Sequence, residues 1–271
     1  MLVDDAGASL GTIGGGCVEA EVRKRAFQMM LAGESGVSRF TLNHDFGWDD
    51  GLICGGTLEV AIGPAPRPAA LEAAVESLSR REHATLAFAT SLDGVPAAYT
   101  LRVAPPERLY IAGAGHVGQA LARLCVALEF EVTIFDDRAD LLEQHAPRGS
   151  LTSAGDIALR LREAPVDADT FCVVVTRGHK HDEQALASVV SRGARYVGMI
   201  GSRRKVKLIL DDLEAAGVPR AELDRVHAPI GLPIGAVSVE EIALSIAAQL
   251  VQVRREERIP AVEGPAVASM P

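Results

Sequence analysis

The chain has 271 residues, 48% of them hydrophobic, and 27 Lys and Arg against 36 Asp and Glu leave a formal charge of -9. That balance excludes a general nucleic-acid binder, which carries a basic footprint, and no apolar run reaches the roughly 18 to 20 residues of a membrane span. With no signal peptide before the first polar stretch and only four cysteines, at 17, 54, 125 and 172, the sequence predicts a soluble, cytoplasmic protein of one to two domains with reduced thiols.

Residues 1–13 read as a β-hairpin with its turn at 4–8 and a returning strand at 10–13. Gly14, Gly15 and Gly16 then lead into a helix over about 17–32 that Gly33 ends, with Val18, Val22, Ala26, Met29 and Met30 on its buried side. Cys17 falls in the first turn, where the helix dipole favours a thiolate. A second reading stays open beside that one, in which the glycines only shape a sharp turn and Cys17 fills a small space.

Strands are predicted at 37–42 and 57–62, separated by an irregular loop that ends in Cys54, Gly55 and Gly56. Here again a thiol stands beside paired glycines whose backbone can close on an anion. Two thiols without a C-x-x-C do not complete a structural zinc site. A helix over 69–80 and a hairpin of 84–90 with 97–103, turned at Asp93-Gly94, complete a first α+β domain at 1–106, which ends at the Pro105-Pro106 linker.

From 107 the pattern changes to strand-like runs at 109, 132, 150, 170 and 196 with helical patterns between them. This is the alternation of a parallel sheet covered on both faces, an α/β Rossmann-like domain at 107–255. The apolar strand at 109–112 is followed by Gly113, Gly115 and Gly118, a G-x-G-x-x-G that opens a helix striped with Val117, Ala120, Leu121, Leu124, Cys125 and Leu128. Asp136 ends the next strand, eighteen residues past Gly118, where a Rossmann unit places the acid that meets a ribose hydroxyl. Arg138 beside it leaves open a preference for a 2′-phosphate.

Residues 171–175 read as a central strand with Cys172 in the core. TRGHKHD at 176–182 follows at the carboxyl edge of the sheet, where ligands bind in open α/β folds. His179 and His181 there are candidates for acid-base work or phosphate binding, with a solvated helix start as the plainer account. At 202–205 a capping Ser202 precedes Arg203, Arg204 and Lys205. Three cations in a first helical turn oppose the dipole unless an anion sits nearby. HAPIGLPIGA at 227–236 crosses the same edge, Ser238 opens a capping box with Glu241, and a striped helix follows. The Pro- and Ala-rich tail at 256–271 is expected to be disordered.

GTIGGGCVE at 11–19, CGGTLEV at 54–60, the glycine stretch with His116, TRGHKHD, YVGMIGSRRKV at 196–206 and HAPIGLPIGA together resemble the XdhC/CoxI family. These are accessory proteins of xanthine dehydrogenase and related molybdenum hydroxylases. The resemblance implies a delivery factor more than a catalyst: it binds molybdenum cofactor, a molybdopterin, and supports its sulfuration and insertion into the hydroxylase, with a cysteine desulfurase supplying sulfur. It places Cys17 and Cys54 foremost in handling sulfur or molybdenum, with Cys54 the candidate molybdenum contact. Cofactor binding by Gly14, Gly15, Gly16, Glu19, Gly55, Gly56, Gly113, Gly115, His116, Gly118, Asp136, His179, His181, Ser202 and Arg203 goes with it. Family members usually carry a few tens of residues more at the N-terminus, with a Ser-Ser/Ala-Pro-x-x-x-Gly segment, so a wall of the first domain is expected to be missing. Two other functions stay open: an NAD(P)-dependent oxidoreductase built on 113–136, and a sulfurtransferase acting through Cys17 or Cys54. A homodimer is also left open; no nucleic-acid or membrane partner is expected.

Overall fold

The computed structural model describes residues 1–14, 16–41, 57–92, 95–256 and 262–263. They fall into two compact units, Met1–Pro105 with Ile259–Pro271, and Pro106–Arg258.

In the first unit, β1 (Leu2–Val3) and β2 (Ser9–Leu10) form the expected hairpin, closed by Asp4, whose carboxylate accepts the N–H groups of Ala6 and Ala8. Its second strand stops at Leu10, short of the expected residue 13. Helix α1 (Gly16–Ala32) buries Val22 and Met29. Met30, expected on the same side, is 41% exposed. One residue on from Met29 is a rotation of about 100°, which carries the side chain off the buried stripe. Strands β3 (Gly36–Thr41) and β4 (Thr57–Ile62) pair antiparallel, Gly36 opposite Ile62.

Helix α2 (Pro68–Ser79) begins on a proline, whose missing N–H costs nothing at that position. It covers the long hairpin of β5 (Ala84–Leu92) and β6 (Val95–Val103) through a small core of Ala74, Ala84 and Leu86. A short β12 (Val262–Glu263) adds to the outer side of β6.

In the second unit a five-stranded sheet is built from β7 (Arg108–Ala112), β8 (Glu131–Asp136), β9 (Leu151–Ala154), β10 (Thr170–Val174) and β11 (Tyr196–Met199). All neighbours are parallel, in the order β11-β10-β7-β8-β9. The strand at 170–174, expected at the centre, lies one place away from it, and β7 holds the middle. Because side chains alternate along a strand, Leu109, Ile111, Phe171 and Val173 face one core while Tyr110, Ala112, Cys172 and Val174 face the other.

The first face is covered by α3 (His116–Ala127), α4 (Ala139–His145) and α9 (Val239–Glu256). Helices α5 (Ile157–Glu163), α6 (His179–Ala187), α7 (Arg203–Ala215) and α8 (Arg220–Leu223) cover the second. The capping box at the start of α9 forms as its sequence implies: Ser238 Oγ accepts the Glu241 N–H, and Glu241 accepts the N–H groups of Val237 and Ser238. Among the described residues no helix is long and apolar enough to cross a membrane.

Candidate functional site

Chain order reverses between β7 and β10, so the topological switch point of this sheet lies between their carboxyl ends. Gly113 sits there with φ of +115°, and a Cβ on it would stand 2.6 Å from the Val175 carbonyl oxygen. Only glycine gives both the backbone angle and the space. Gly118 lets the first turn of α3 press on the loop, for a Cβ on it would meet the Gly113 oxygen at 1.9 Å. Gly115 is the N-cap of α3 and its Cβ direction is open, while His116 begins the helix exposed. These are the contacts that a glycine-rich strand-to-helix turn requires.

Asp136 ends β8 beside this loop and is 1% exposed. Its carboxylate accepts the Ala114 N–H at 2.7 Å, the Arg138 N–H at 3.0 Å, and Arg138 Nε and Nη2 at 2.7 and 2.8 Å. Burial pushes this carboxyl up, but the bonds from the Arg138 guanidinium and the two backbone N–H groups outweigh it and hold the group down at about 2. A ribose diol entering here must displace Arg138. Because the folded-state value lies below the ordinary one of 3.8, the interaction stabilises the fold above about pH 4 and is lost as pH falls toward 2. Asp136→Asn is therefore expected to cost about 2 kcal/mol at pH 7. Urea unfolding of both proteins from pH 7 down to 2 checks it, and the gap between them should close over pH 4 to 2.

The other acids of this edge are also matched by the chain's own cations. Arg177, just past β10, pairs with Asp137, just past β8, at 3.0 Å, a link that spans the two strands flanking β7. Asp182 in α6 is fully buried and accepts the Thr176 N–H at 3.1 Å, the Thr176 hydroxyl, and the Lys205 ammonium from the first turn of α7. Of the three cations there, Lys205 thus has its counter-charge in Asp182, an anion supplied by the chain itself. Arg203 and Arg204 stay exposed, and Ser202 caps α7 by accepting the Lys205 N–H at 3.3 Å. Arg203 also lines a cavity of about 220 Å³ with Lys207, Arg220 and Pro229.

His181 points to solvent, whereas His179 is half-buried between Glu183 and Asp212. The loop at 227–236 docks on β11, with the His227 N–H bonded to the Val197 oxygen and its ring stacked on Tyr196 at 4.5 Å. Burial lowers the His227 pKa, favouring the neutral ring.

In the first unit, Gly14 and Gly16 take φ of +121° and +73°, and nothing lies within 4 Å of a Cβ built on either. Glu19 holds this loop against α1 by accepting the Thr12 hydroxyl and the Ile13 N–H. Cys17 lies on the first turn of α1 by its backbone. Gly15, Cys54, Gly55 and Gly56 lie outside the described residues, as does the side chain of Cys17. Cys125 and Cys172 are both buried, and burial pushes each thiol up to about 12, so neither is a nucleophile at neutral pH.

The family model for the XdhC Rossmann domain matches residues 109–250, and that for the XdhC and CoxI family matches residues 1–41. Among curated proteins, the chain is 28% identical over 256 residues to the uncharacterized protein YqeB of Escherichia coli K12, covering 94% of this chain and 40% of that protein. It is 26% identical over 266 residues to the molybdenum cofactor insertion chaperone PaoD of the same strain, covering 94% of this chain and 77% of that one. The chain thus spans well under half of the first relative and about three quarters of the second. The crystal structure of a xanthine dehydrogenase from Bacillus halodurans has the same fold, with a TM-score of 0.78 at 23% identity over 94% of this chain and 86% of that chain.

Proposed function

Because the chain belongs to the XdhC and CoxI family, we propose that it is an accessory protein that binds molybdenum cofactor and supports its insertion into a molybdenum hydroxylase of the xanthine dehydrogenase type. The observation that carries this reading is the pair of family matches, one in each compact unit, in the same chain as 26% identity to a protein named as a molybdenum cofactor insertion chaperone.

The local chemistry supports it. Molybdopterin is anionic, and glycines such as Gly14 and Gly16 leave the backbone uncovered, with nothing within 4 Å of a Cβ built on either. A cysteine in the first turn of a helix is held toward its thiolate form by the dipole, and thiolates are soft ligands for molybdenum or carriers of persulfide sulfur. In this reading Cys17 and Cys54 handle sulfur received from a cysteine desulfurase. The test is co-expression with a molybdenum hydroxylase: wild-type chain raises the partner's activity, and Cys54→Ala or Cys17→Ala lowers that activation. A partner equally active with and without the chain contradicts the proposal.

The oxidoreductase alternative is disfavoured by Asp136, whose carboxylate is already occupied by Arg138 and the Ala114 N–H. The expected result is no saturable binding of NAD(H) or NADP(H) below about 1 mM, an affinity of roughly 4 kcal/mol. Fluorescence titration of the reduced nucleotides checks it.

A further inference from the structure

His179 and Glu183 are one helical turn apart on α6, and Asp212 reaches them from α7, 29 residues beyond Glu183 in sequence. His179 Nε2 lies 3.8 Å from Glu183 Oε2 and 3.7 Å from Asp212 Oδ2, and one ligand atom from each residue falls within 4.8 Å of the others. We propose that these three side chains bind one divalent first-row transition cation of the Mn²⁺ or Zn²⁺ class.

Two separate features support this. The first is the donor set: one imidazole with two carboxylates offers a nitrogen and two oxygens and a charge of -2 against a dication. That selects borderline and hard first-row ions, while the absence of sulfur disfavours Cu(I) and the imidazole disfavours Mg²⁺ and Ca²⁺. The second is the scaffold. Asp182, between the two α6 ligands, is fully buried and binds Lys205 of α7, which pins the two helices together. Asp212 lies seven residues after Lys205, two turns along the same face of α7.

Donors around a tetrahedral ion with bonds of about 2.1 Å stand about 3.4 Å apart. The distances of 3.7 and 3.8 Å close to that value by small torsions of half-exposed side chains. Three protein donors leave a coordination position for water or for an oxygen of an anionic guest. This site is independent of the reading of Cys17 and Cys54, and its test reads metal alone.

The experiment is titration of the full chain, freed of metal by a chelator, with Mn²⁺ followed by electron paramagnetic resonance of the free ion, and with Zn²⁺ by competition with a chromophoric chelator. Mn²⁺ avoids thiolates, so the cysteines do not contribute to its count. The wild type should take up a single Mn²⁺ with a ¹⁴N coupling from imidazole. His179→Ala should abolish that coupling, and it and Asp212→Asn should each weaken binding by at least about tenfold, as even losses outside the ligand set do. These side chains are 39% and 48% exposed, so both variants keep their fold, which circular dichroism confirms. A wild type that binds neither ion saturably, or variants that bind as the wild type does, overturns the proposal.

Discussion

Gly118→Ala is expected to lower the melting temperature of the second unit by about 6 °C, although alanine is the better helix former. The gain in helix propensity is about 1 kcal/mol, and it is outweighed by a collision with backbone. The new methyl carbon would lie 1.9 Å from the Gly113 carbonyl oxygen, 3.1 Å from the carbon of that carbonyl and 3.4 Å from an Ile111 methyl. Ordinary contact begins near 3.4 Å. Relief therefore needs α3 to withdraw from β7 by more than an ångström, opening the core that Leu121, Cys125 and Ile111 close. Overpacking of this kind costs about 3 kcal/mol, and in a unit of this size each kcal/mol moves the midpoint by about 2 to 4 °C. Thermal unfolding by circular dichroism reads the shift. A midpoint within about 2 °C of the wild type would mean that the loop yields cheaply and that the glycine is not needed for close packing.

Asp182→Ala removes the acceptor of three donors at once and should cost about 3 kcal/mol. Among the described residues Lys205 is left with no anion, and the N–H and hydroxyl of Thr176 lose their partner. Breaking a buried pair by deleting one member costs about 3 to 5 kcal/mol, because the other charge is stranded. Lys205 keeps 27% of its side chain exposed, so water softens the penalty and the lower figure applies. The same logic predicts that Asp182→Ala with Lys205→Met recovers about half of the loss, since no ammonium then remains to be stranded. Denaturant unfolding of the four proteins in this cycle measures both effects. Independent, additive losses would show that Asp182 and Lys205 do not act as a pair.

The glycine spacing at 113–118, the apolar runs and the capping box lie within single stretches of chain, so their elements are legible from local pattern. Met30 and Leu128 show where that legibility ends: each lies at the margin of an apolar stripe, and both are more than a third exposed. At the site, the place of Asp136 follows from its distance to Gly118. Its partner could also have been found, since an Asp-x-Arg at a strand end lets a guanidinium fold back on the carboxylate. The pairing of Asp182 with Lys205 joins residues 23 apart on two helices, and no local pattern announces it. His179 and Glu183 have the spacing of one helix face, but Asp212 is brought to them only by the packing of α7 on α6. Likewise the apolar stripe of α9 gives no sign that Arg254 is buried, its guanidinium 3.6 Å from the centre of the Phe130 ring.

The most direct test of the proposed accessory role is the content of the chain itself, purified from cells that make molybdenum cofactor together with a molybdenum hydroxylase. Molybdenum by mass spectrometry and pterin by fluorescence after oxidation should both be present, in equal amounts, and should fall together in Cys54→Ala. Protein free of molybdenum and of pterin, beside a hydroxylase that loads normally without it, contradicts the account.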